Sequence, residues 1–228
     1  MALTEQALTD RDRARVAAAV TQAELASAGE IVTIVTPRSD IYRDVALGWS
    51  AFVALLALAA LELAPDFYIA LVDRVLGLWA SDWTPRAVLG LALTVATLKF
   101  LGMLLLMAWF PLRLWLTPKP VKAARVHARA LTCFRVGAQS RTTGRTGILI
   151  YLSLAEHRAE IIADEAIAAK VAPEVWGDAM HAMLDHLREG RVADGMIAGV
   201  EQVGAVLAAH FPRAGDDTNE LPDRLIEV

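Results

Sequence analysis

The sequence predicts an α/β domain with a small mixed sheet, interrupted by an inserted two-helix transmembrane hairpin. Three observations carry this. Hydrophobic residues make up 56% of 228, above the roughly 45–50% of a soluble domain, and the excess is concentrated between Val45 and Leu116. Short β-branched or apolar runs stand on both sides of that stretch. Helical patterns with start and stop signals surround those runs.

The first helix is expected from Asp10 to about Ala28, capped by Thr9 or Asp10, with Val16, Val20, Ala23 and Leu25 near one face. Gly29 stops it. Glu30–Thr36 is continuous and β-branched, hence a buried strand ended by Pro37. Met1–Asp10 lacks a basic region followed by an apolar run, so the first span is expected to act as a retained signal anchor.

That span is Val45–Leu63, uncharged as far as Leu61, and at about 1.5 Å per residue it can cross a roughly 30 Å hydrocarbon core. Ala64–Arg86 interleaves Asp66, Asp73 and Asp82 with apolar residues and is expected to lie along the outer surface. The second span lies within Ala87–Leu116, with Pro111 kinking its end. Counting back about 20 residues from Leu112 places Lys99 near the outer end, where its stem can snorkel. Arg38 and Arg43 precede the spans, and Arg113, Lys119, Lys122, Arg125 and Arg129 follow them, against only Arg74 and Arg86 between. The expectation is a two-pass cell-membrane protein with both termini cytosolic.

After the Pro118-Lys119-Pro120 break, a helix is expected over Val121–Phe134 and a loop over Gly137–Gly147. Ile148–Ser153 and Glu160–Ala163 read as strands joined by a short turn, hence antiparallel. The first and second strands are expected to be parallel, since a long crossover separates them. Three helices follow: Asp164–Lys170, Pro173–Gly190 and Val192–Phe211. Residues 213–228 read as an acidic flexible tail, although Leu221, Leu225 and Ile226 can dock. The organisation is therefore residues 1–40 and 118–212 as one discontinuous domain, with 45–116 as the hairpin.

Taken in order, the strand and helix, the loop, Gly147–Ser153, the turn Glu156-His157-Arg158 and Glu160–Asp164 resemble the TPM-domain family. Trp176, Leu187-Arg188-Glu189-Gly190 and His210-Phe211-Pro212 continue the likeness. The family includes thylakoid-lumen acid phosphatases, photosystem repair factors and receptor modulators. The resemblance implies a small sheet sandwiched by helices. It also implies a metal-assisted phosphatase, with Asp164 and Glu165 as catalytic and metal-holding carboxylates for Ca or Mg. This chain departs from the pattern in its inserted anchor. It departs again in Asp164–Lys170, which has no glycine and fewer acids than is usual there.

From the residues themselves, Arg145 and Thr146, in a loop rich in hydroxyls and glycines, suit a phosphate; an ordinary solvated loop is the plainer account. For Asp164 a helix cap is the plainer account. Asp164 and Glu156 are expected at opposite ends of the sheet. Asp178, His181 and Asp185 share a helix face that reads as solvated, and no two-histidine zinc spacing occurs on one helix. Cys133 is the single cysteine, so no intrachain disulfide forms. A net charge of −4 and the lack of nucleic-acid signatures leave no nucleic-acid partner to expect. The expected partners are the lipid bilayer and other membrane proteins. Two functions compete: a module that binds or modulates membrane-protein complexes at the cytosolic face, and a metal-assisted phosphatase.

Overall fold

A computed structural model describes residues 8–77, 83–137, 146–172, 174–213 and 224–227. The chain forms two compact units, residues 1–40 with 119–228, and residues 41–118.

The first unit is built on a four-stranded mixed sheet of order β3-β2-β1-β4. Its strands are β1 (Glu30–Thr36), β2 (Gly147–Ser153), β3 (Arg158–Ala163) and β4 (Ile226–Glu227). As expected, β1 and β2 are parallel, in unbroken register from Glu30↔Gly147 to Thr36↔Ser153. Every residue of both is buried, which is why their sequences are continuous rather than alternating. β3 pairs antiparallel with β2 from Ile148↔Ala163 to Ser153↔Arg158. It is only half-buried, as an edge strand should be.

Helices cover both faces. One face carries Ile31, Val35, Ile148, Ile150 and Leu152 against α1 (Asp10–Glu24), α8 (Val175–Arg188) and α9 (Val192–His210). The other packs Val32, Ile34, Leu149 and Tyr151 against Val126, Ala130 and Phe134 of α6 (Lys119–Gly137). Thr9 caps α1 in a reciprocal capping box with Asp12, two orphan N–H groups being satisfied at once. The close approach of α9 to its neighbours depends on small residues: a Cβ on Gly204 would stand 2.6 Å from that of Ala23.

The second unit contains α2 (Arg43–Leu63), α3 (Pro65–Leu76), α4 (Pro85–Leu106) and α5 (Phe110–Leu116). α2 packs along α4. Among the described residues, three helices are long and apolar enough to cross a membrane: α2, α4 and α9. They differ in burial, at 11%, 0% and 50% of the apolar window. α9 spends its apolar surface on the core; α2 and α4 leave Phe52, Leu55, Leu56, Leu93, Leu101 and Leu105 outward.

Several expectations need correction. Within the expected tail, Leu225 is buried and Ile226–Glu227 pair with Ile34 and Val35 of β1, so this part is docked; Leu221 lies outside the described residues. The open edge of β1 is what recruits Ile226–Glu227. The second long helix ends at Leu106 rather than beyond Pro111. Pro111 opens a new helix, α5, where its missing N–H costs nothing. Arg113 then donates to the carbonyls of Met107 at 2.8 Å and Ile41 at 2.6 Å. Lys99 consequently lies nearer the Leu106 end of α4 than the Pro85 end, the reverse of the sequence count. Finally, β3 starts at Arg158, two residues earlier than expected.

Ile34 is 4% exposed in the smaller core cluster, on the strand that joins β2 to β4. Ile34→Asp should bury an unpaired carboxylate and cost about 3–5 kcal/mol. A urea melt of the full chain in micelles checks this; a loss under about 1 kcal/mol would show that β1 is not integral to the sheet.

Candidate functional site

Two ends of the sheet gather polar side chains. At the first, β2 begins and β3 ends. The Asp164 N–H donates to Gly147 O at 2.9 Å, continuing the ladder by one step. Asp164 is 2% exposed. It caps the short helix α7 (Glu165–Ala168), accepting from the Glu165 N–H through Oδ1 at 3.0 Å. Its other oxygen, Oδ2, is buried and meets no hydrogen-bond partner among the described residues. Glu165 is exposed. Thr146, beside Gly147, donates its hydroxyl to Ala28 O at 3.0 Å, and its carbonyl accepts from the Glu30 N–H at 3.1 Å. The shared edge places Thr146 and Asp164 at the same end of the sheet, while Arg145 lies outside the described residues. Among the described residues, no three His, Cys, Asp or Glu side chains gather as a metal site.

At the opposite end, about six residues or 20 Å along the strands, lies a buried network. Glu156, in the β2–β3 turn, is 6% exposed. It accepts from the Ser39 N–H at 3.1 and 3.2 Å and from the Ser153 hydroxyl. The Ser39 hydroxyl lies 2.8 Å from Ser153 Oγ and 2.9 Å from the Tyr151 hydroxyl. Leu154 and Ala155 N–H groups donate to Thr36 and Pro37 carbonyls at 3.0 Å each. Burial pushes the Tyr151 phenol up, with the Ser39 hydrogen bond opposing. His157 completes the turn with φ 50°. The network ties the segment leaving β1 to the turn after β2. From the sequence, Glu156 is placed only at the sheet end opposite Asp164. The Ser-x-x-Glu spacing of Ser153 and Glu156 was the available signal, since it lets a carboxylate reach back to a hydroxyl. Tyr151 and Ser153, two apart on a strand, necessarily point the same way.

The remaining polar cluster of α8 is local. The ring of His181 contacts Gly177 O at 2.8 Å through Nδ1, and Asp185 pairs with Arg188 at 2.9 Å on the exposed face. This is the solvated face the spacing suggested.

A small mixed sheet with helices on both faces, and with its polar groups at the two strand ends, defines the architecture. The family model described as the TPM domain matches residues 122–206, and this chain carries a TPM domain over that stretch. The fold also resembles the NMR structure of BA42 protein from the psychrophilic bacterium Bizionia argentinensis. That likeness has a TM-score of 0.56 at 17% identity and covers 98% of this chain and 97% of the other. No curated protein matches the chain.

The two ends predict different responses to substitution. Glu156→Ala removes a buried acceptor from at least two donors and should cost about 2–4 kcal/mol. Asp164→Asn keeps the cap and should change stability by less than about 0.5 kcal/mol. Urea melts of both variants check this, and equal effects would contradict the assignment of Glu156 as the tie.

Proposed function

We propose that the protein is a membrane-anchored TPM domain that binds or modulates membrane-protein complexes at the cytosolic face. The observation that carries this is the outward apolar surface of α2 and α4, helices of 21 and 22 residues with 11% and 0% of their apolar windows buried. Water does not tolerate a continuous surface of that kind, and about 30 Å of hydrocarbon matches their length. Residues 1–40 and 118–212 act as one discontinuous domain. The bias of Arg and Lys toward the flanks of the hairpin favours both termini in the cytosol.

A second reading is a metal-assisted phosphatase, favoured by the buried Oδ2 of Asp164, which lacks a partner among the described residues. Arg145 and Thr146 would hold the phosphoryl group, while Asp164 and Glu165 would hold Ca or Mg. A hard cation takes about six to eight oxygens. Two adjacent carboxylates, one of them capping a helix, do not furnish that shell.

The test uses intact cells and washed membranes. Ser81→Cys should label with an impermeant thiol reagent, and Ser140→Cys should not. The chain should stay in carbonate-washed membranes and co-purify with a defined membrane protein. It should show no phosphatase activity with or without Mg or Ca. Metal-dependent turnover in the parent that is lost in Asp164→Asn would replace the first reading with the second.

A further inference from the structure

α6 carries a basic face. Lys119 and Lys122 open the helix, followed by Arg125 and Arg129. Lys122, Arg125 and Arg129 are spaced i, i+3, i+7 and share one side, beside the buried stripe of Val126, Ala130 and Phe134. Arg158, at the start of β3, joins them by donating to Lys119 O at 3.4 Å.

Nearby carboxylates neutralise this face only at Arg125. Asp40 pairs with Arg125 at 3.3 Å, and Glu160 with His127 at 3.2 Å. Glu156 is buried and holds Ser39 and Ser153. Among the described residues, Lys119, Lys122 and Arg129 have no carboxylate within ion-pair distance. The first turn of α6 has no acid, so the positive end of the helix dipole adds to the accumulation instead of being balanced. Burial holds the Lys122 amine below its ordinary value; Glu156 opposes this, and Arg158 and Lys119 add to it.

Chain order says what the face meets. After the apolar α4 ends at Leu106 come Trp109 and Trp115, 66% and 76% exposed, and then Lys119. Hydrocarbon, interfacial indole and cation succeed one another here in the order of bilayer depth zones. The face also lacks the aromatic or large apolar anchors of a protein interface: Val136 is the single large hydrophobic residue of α6 strongly exposed among the described residues.

We propose that the basic face of α6, with Arg158, binds the phosphate groups of anionic phospholipids. This rests on the membrane-anchor reading. The full chain, purified in neutral detergent, is titrated with phosphatidylglycerol or phosphatidylcholine, and adducts are counted by native mass spectrometry. The wild type should prefer phosphatidylglycerol about a hundredfold. Lys119→Gln/Lys122→Gln/Arg129→Gln should lose about fivefold per neutralised cation, leaving little preference. A control, Arg11→Gln/Arg135→Gln/Arg188→Gln, should keep it. No preference in the wild type, its survival in the α6 variant, or equal loss in the control would each overturn the proposal. Full displacement of the lipid by inorganic phosphate at matched ionic strength would instead assign a free-anion site, and so overturn the lipid assignment. Carbonate extraction is scored in parallel. A chain that stays in the membrane but shows no lipid preference refutes this inference alone. A chain that washes off refutes the anchor as well.

Discussion

The parallel ladder between β1 and β2 is the interaction on which the rest depends. Its seven pairs join segments separated by more than a hundred residues, from Glu30↔Gly147 to Thr36↔Ser153. Closing so long a loop costs about 4 kcal/mol of chain entropy. Two features offset this. Both strands are buried along their whole length, so apolar burial accompanies each pair formed. The intervening helices α2 and α4 pack along one another, which turns the chain back toward its start.

Other features follow from that ladder. With β1 and β2 central, each sheet face needs a cover, and α1, α8 and α9 supply one while α6 supplies the other. The free edge of β1 accepts Ile226–Glu227, so the C-terminal segment reinforces the strand that would otherwise be exposed. At the end where β1 leads out, Ser39 meets Glu156 and Ser153. That clamp fixes the point at which the chain departs toward α2. A polar network fully supplied with donors is suited to fixing a register.

Much of this could be read from residue order. The β-branched run of Glu30–Thr36 and the apolar run before Ser153 declare buried strands, and their directions follow from connection lengths. Asp164 was expected to cap a helix and does so. Its placement with Thr146 at one sheet end follows from antiparallel pairing of β2 and β3. What escaped depends on contacts between distant segments. β4 has two residues, too few for any periodicity, and its pairing is decided by an open edge elsewhere. The end of α4 is set by Arg113 reaching back to carbonyls. The Ser39–Glu156 contact joins residues 117 apart, and nothing local to either announces it.

Native-state hydrogen exchange on the full chain in micelles tests the central claim most directly. If the ladder joins both segments into one cooperative unit, the buried amides of β1 and β2 should open with the same free energy, within about 0.5 kcal/mol, and Ile34→Asp should lower both together. Fast exchange across Ile31–Val35 with full protection retained across Ile148–Leu152 would contradict the account. It would mean that the segment before the hairpin is not part of the domain that follows it.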